Sequence, residues 1–136
     1  MSLKSQVSVE YMFIMGFSAL LIVPLLVIYY TYSADTNDSV ASSQALQIAR
    51  NIVDSSESVY YLGKPSQTTL KLNFPDNIKS TNLSNREVVF KMKSQYGTTE
   101  IVQVSAVNMS GSLPTSPGIH IVTLLAQDGY VQITSN

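Results

Sequence analysis

Two kinds of apolar pattern divide the chain. From Tyr11 to Ala34 no residue is charged, and "YMFIMGFSALLIVPLLVIYYTY" over 11–32 has no polar face. About 20 such residues cross a bilayer as a helix, because only internally bonded backbone survives in hydrocarbon. Tyr11 at one end and Tyr29, Tyr30 and Tyr32 at the other fit an interfacial aromatic belt. Pro24 removes one backbone donor, so a kink or local loosening is expected there.

After the polar stretch "SADTNDS" a periodic pattern returns. Ala41, Ala45, Ile48, Ile52, Ser55, Val59 and Leu62 recur at steps of three and four, one face of a helix. Gln47, Arg50, Asp54 and Glu57 fall opposite, with Arg50 in i,i+4 reach of Asp54. Leu46, Ala49, Val53 and Tyr60 widen the apolar side beyond a coiled-coil seam, so this face is expected to cover a sheet of the same chain. "GKP" at 63–65 is a stop signal. A helix unbroken from Gln6 to Leu62 would run roughly 85 Å; the pattern leaves open a break inside Ser33–Asp38.

The remainder alternates with period two. "TTLKLNF" puts Leu70, Leu72 and Phe74 on one side, and "EVVFKMK" puts Val88, Phe90 and Met92 inward with Lys91 and Lys93 outward. "TEIVQVSAV", "GIHIVTLLA" and "YVQIT" complete five predicted strands. Tyr96-Gly97 marks one turn, and Asp128-Gly129 reads as a type I′ hairpin. The segment from Asn108 to Gly118 reads as a loop. A small antiparallel sheet of this kind needs the amphipathic helix across one face. The fold class is therefore α+β: a long N-terminal helix, apolar then amphipathic, on a C-terminal antiparallel sheet. The boundaries fall at 6–34 for the apolar helix, 35–63 for its amphipathic continuation and 64–136 for the β domain.

Composition narrows the setting. Charged residues make up 12% of the 136, against roughly 25% in ordinary soluble domains, and hydroxyl residues take their place. Such a chain looks like a surface protein. The net charge of −1 and the lack of a basic block argue against nucleic acid as a partner. There is no cysteine to form a disulfide or a thiolate metal site.

Three readings of the apolar run compete. One is a single-pass anchor. A secretory signal peptide fits poorly, since its apolar region is normally roughly 7–15 residues. The nearest cleavage candidate, Thr31-Tyr32-Ser33, is also a poor match. The third comes from the residues ahead of the run, "KSQVSVEY", where Glu10 stands on the threshold of the hydrocarbon segment. This start resembles the class III signal peptide of archaeal type IV pilins: a short charged leader, a cut before Gln, then Q-x-S-x-E opening the mature helix. Gln6, Ser8 and Glu10 match position for position, Ser5 supplies the small residue before the cut, and Lys4 is the leader's one basic residue.

The resemblance covers residues 1 to about 32. It implies that residues 1–5 are a leader removed by a prepilin peptidase between Ser5 and Gln6, while the apolar helix is kept. It also implies a precursor held in the membrane, then polymerisation of the chain with itself through helix 6–34. An assembly ATPase and a membrane platform protein would extrude the product as an extracellular pilus for adhesion. An isolated carboxylate at a membrane boundary costs a few kcal/mol or finds a partner. In the filament that the resemblance implies, Glu10 pairs with the Gln6 amine of its own or a neighbouring subunit and marks the register. The alternatives are a monomeric membrane-anchored binding protein and an archaellin-type filament subunit.

Catalytic chemistry is not indicated. His120, the single histidine, lies between Ile119 and Ile121 in a predicted strand with no ligand or nucleophile motif around it, and reads as a packing or surface residue. Asp35 and Asp38 flank Asn37 without the glycine and closing glutamate of a calcium loop. No catalytic residue, metal site or cofactor is expected. Asn-x-Ser/Thr sequons stand at Asn37, Asn82 and Asn108, each expected in a polar linker, turn or loop edge. The pilin resemblance makes all three candidates for N-linked glycans.

Overall fold

In the computed structural model, which describes residues 3–136 with side chains from Val7 onward, the chain begins with one helix, α1 (Leu3–Leu62). It runs unbroken through Pro24 and through 33–38, where the sequence pattern allowed a break. Hydroxyls of the polar stretch bond back into the helix: Thr36 Oγ1 donates to the Tyr32 carbonyl at 2.9 Å, leaving the helical ladder intact. The stop signal acts as expected. Gly63 takes a left-handed φ of 77° and its N–H bonds the Tyr60 carbonyl at 3.0 Å.

Among the described residues seven strands follow: β1 (Gln67–Phe74), β2 (Ile78–Ser84), β3 (Glu87–Ser94), β4 (Gly97–Val104), β5 (Met109–Gly111), β6 (Gly118–Ala126) and β7 (Val131–Ser135). They form two sheets, β1-β6-β7-β5 and β2-β3-β4, in place of the single five-stranded sheet expected. The architecture is α+β, with one correction to the strand directions. β5 pairs with β7 in parallel, so the larger sheet is mixed.

The two unpredicted strands have little apolar alternation of their own. β2, "IKSTNLS", buries Ile78 and half-buries Leu83, and its pairing with β3 supplies the rest. β5 is three residues long and lies inside the predicted loop; Gly111 stands where a Cβ would meet the Ile133 carbonyl of β7. The β6–β7 turn is also corrected. Gly129 takes a φ of 85°, but Asp128 does not have positive φ, so the double left-handed type I′ geometry is not formed.

The chain divides into two compact units, the first ending at Thr36 and the second running Asn37–Asn136. The amphipathic half of α1 thus belongs with the strands. One core joins Ala41, Ala45, Ile48, Ala49, Ile52 and Val53 of the helix to Leu72, Phe74, Val122, Leu124 and Ile133 of the mixed sheet and to Val88, Phe90 and Met92 of β3. Phe74 and Phe90 meet edge to face, ring centroids 6.1 Å apart. The inward residues of β1 and β3 are those the alternation selected. The helix stripe shifts slightly: Ser56 is fully buried, Ser55 only half-buried, and Leu62 is 76% exposed. Leu62 ends the helix, beyond the last turn that the sheets cover. The expected Arg50–Asp54 pair is not among the ion pairs of the described residues, which are Lys64–Asp128 at 2.5 Å and Lys91–Glu100 at 2.7 Å.

Candidate functional site

Among the described residues, the first unit presents apolar side chains on every side. Every large apolar side chain from Val7 to Tyr32 is between 47% and 73% exposed. The helix is long and apolar enough to cross a membrane, with a mean hydropathy of 2.5 over its best 18-residue window. Within it, Thr31 Oγ1 donates to the Ile28 and Val27 carbonyls at 2.9 and 3.0 Å, so that hydroxyl is satisfied by the helix itself.

Ser8 and Glu10 lie in α1 with exposed side chains, and Glu10 has no ion pair among the described residues. Lys4, Ser5 and Gln6 lie outside the residues whose side chains are described, as does the whole of the expected leader. The proposed Glu10 partner, the Gln6 amine, falls there too.

The second unit is held to its helix by two carboxylates that the hydrophobic pattern did not single out. Asp38 Oδ2 accepts the Gln95 N–H at 2.7 Å and the Ser94 hydroxyl at 2.8 Å, while its Oδ1 takes a longer bond from Asn77 Nδ2 at 3.4 Å. The Gln95 N–H, and after it the Ser94 hydroxyl, hold the Asp38 carboxyl below its ordinary value of 3.8 against a smaller opposing effect of desolvation. Glu57 Oε1 accepts the Ala106 N–H at 2.8 Å and the Ser105 hydroxyl at 3.2 Å. Ser105 is itself buried and accepts the Val107 N–H.

These contacts fall just before and just after β4. Nineteen residues of helix from Asp38 to Glu57 rise about 28 Å, and the strand path from Gln95 to Ala106 reaches about 36 Å. The two carboxylates therefore tie the segments on either side of β4 to two separate points on the helix. Glu57 was expected on the outward face, and this is a correction. A signal for both existed: Asp38 precedes Ala41 by three, and Glu57 follows Val53 by four, so each continues a row of buried positions.

His120 is a packing residue in β6. Its ring meets Phe74 edge to face at 5.6 Å, and Nε2 lies 3.0 Å from the Ser116 carbonyl, which only accepts. All three sequon asparagines are exposed. Asn108 sits at a loop edge as expected. Asn37 lies on α1 rather than in a linker, and Asn82 lies in β2 rather than in a turn, because the helix continues and β3 recruits the polar β2 segment. No family model, curated protein or solved structure matches the chain.

Proposed function

We propose that this chain is a structural subunit of an archaeal type IV-like adhesion pilus, polymerising through its apolar helix. The observation that carries the reading is the union of two features on one helix. Q-x-S-x-E at Gln6, Ser8 and Glu10 leads directly into a helix whose large apolar side chains are exposed on every side. A plain anchor accounts for the apolar surface but gives no role to a carboxylate on its threshold. In a polymer, lipid covers the helix of the precursor and neighbouring helices cover it afterwards, and Glu10 finds its counter-charge in the amine exposed at Gln6 by a prepilin peptidase.

The pinned β domain supports display. Clipped to its helix by Asp38 and Glu57, it is carried to the filament surface as one body. The assembly ATPase and platform protein belong to this proposal through the resemblance, and N-linked glycans at the exposed Asn37, Asn82 and Asn108 go with it. Electron microscopy of sheared surface material, with mass spectrometry of its subunit, tests the reading. The expected result is filaments whose subunit starts at Gln6; a subunit that keeps Met1, with no filaments, favours the anchor.

A further inference from the structure

Two sheet edges of the β domain stand open. β1 ends the β1-β6-β7-β5 sheet and β4 ends the β2-β3-β4 sheet, while the other two end strands, β5 and β2, touch each other. β1 and β4 are each eight residues long. The Ala126 N–H bonds the Ser66 carbonyl at 2.9 Å, one step beyond the β1–β6 register. Antiparallel bonding alternates along a strand, so Gln67, Thr69, Lys71 and Asn73 turn their N–H and C=O away from β6. The Ser105 N–H on the Arg86 carbonyl at 2.7 Å fixes β4 in the same way: Thr98, Glu100, Val102 and Val104 turn away from β3. No hydrogen bond among the described residues ends on these outer backbone groups.

An open edge of this length is a template for a further strand. Laid antiparallel over their full length, β1 of one copy and β4 of another set Gln67 opposite Val104 and Phe74 opposite Gly97. Each outward-turned residue of one strand then faces an outward-turned residue of the other. The same register sets Lys71, which has no ion pair among the described residues, opposite Glu100. Glu100 Oε1 holds Lys91 at 2.7 Å, and its second oxygen can accept from Lys71. Leu70 falls opposite Ile101, both packed against the core yet only half covered. Like edges do not match so well. Between two copies of β1, or two of β4, the full-length antiparallel register sets each outward-turned residue against one that faces its own sheet.

We propose that β1 of one copy adds to β4 of a second copy of this chain, joining their β domains through a shared sheet. Each copy carries one edge of each kind, so the contact is head-to-tail and repeats from copy to copy. The inference rests on the polymer reading, for which it names the contact between displayed domains.

The chain has no cysteine, so introduced thiols are unique. Thr69 and Val102 are exposed and fall directly opposite in this register. Full-length Thr69→Cys and Val102→Cys chains are mixed, reconstituted at high density in liposomes and treated with a short bismaleimide; sheared filaments of the mixture are treated likewise. The expected product is a dimer that peptide mapping links between positions 69 and 102, with none from either variant alone. Thr98→Cys in place of Val102→Cys lies about 13 Å out of register and should give about tenfold less dimer. Lys71→Glu, added to the Thr69→Cys chain, sets like charges opposite and should lower the yield about fivefold.

Absence of the mixed dimer overturns the contact, as does a dimer from one variant alone, equal yield with Thr98→Cys or a yield unmoved by Lys71→Glu. Filaments that lack the link between positions 69 and 102 would overturn this inference alone. The link between chains that never form filaments would overturn the pilin reading alone.

Discussion

The Asp38 carboxylate accepts the backbone N–H of Gln95 at 2.7 Å across 57 residues of chain. The bond joins the first turns of the amphipathic helix to the β3–β4 turn. With the Ser94 hydroxyl on the same oxygen, it makes the ionised carboxylate the preferred state in the folded protein.

A pH dependence follows, and its sign is set by the lowered pKa. The contribution of Asp38 is fully present above the ordinary value of 3.8 and is lost as pH falls below it through the folded value. Asp38→Asn should lower the melting temperature at neutral pH, and the gap between wild type and variant should narrow in acid. Thermal melts across that range check it. A gap that stays constant into strong acid rules out ionisation of Asp38 as the source.

Ile52 tests whether the helix belongs to the β domain. It is fully buried among residues of both sheets. Ile52→Ala should cost about 2–5 kcal/mol in denaturant unfolding of the second unit, with helix and strand signals lost together. Separate transitions would show that the strands form a core without the helix.

Ser56 points the other way. Its hydroxyl is fully buried with no hydrogen-bond partner among the described residues. Ser56→Ala removes a desolvated polar group at little change of volume, so stability should stay equal or rise by about 1 kcal/mol. A clear loss in the same denaturation assay would mean that the hydroxyl has a partner.

Of the six glycines, Gly111 is the one where an added Cβ would meet a neighbour. It combines a φ of 142° with close approach to the Ile133 carbonyl. Gly111→Ala should displace β5 from β7 and cost about 2–4 kcal/mol. Hydrogen exchange at the Val131–Ile133 amides should speed up selectively at the β7 edge. Unaltered exchange and melting would show that the parallel pair tolerates a side chain.

Glu10 separates a polymer from an anchor. If it pairs with a Gln6 amine among packed helices, Glu10→Gln leaves that amine without its counter-charge, a penalty of about 3–5 kcal/mol repeated at each subunit. Membrane insertion and cleavage should persist while filaments disappear, read by microscopy of sheared material and by subunit mass. Normal filaments would end the register role; loss of cleavage would assign Glu10 to peptidase recognition.

The sequence by itself determined whatever is written in local periodicity. The uncharged run, the stripe from Ala41 to Val59 and the inward residues Leu70, Leu72, Phe74, Val88, Phe90 and Met92 were all legible, because burial of one face imposes a period of 3.6 or 2 on neighbouring positions. The Gly63 cap was legible too, since only glycine reaches that conformation cheaply. Of the candidate sites, the Q-x-S-x-E start and the sequons were visible as motifs, but their surroundings were not. Tertiary structure alone decided the rest. β2 has too few apolar residues to declare itself and exists because β3 offers a ladder to a polar segment. β5 forms beside β7 because glycine at 111 permits the approach. Asp38 and Glu57 look like solvated charges until the chain returns with the Gln95 and Ala106 amides to meet them. Their helical spacing from Ala41 and Val53 puts them on the rows that face the strands, but which distant amide each one meets is written nowhere near the acceptor, so only the fold could assign it.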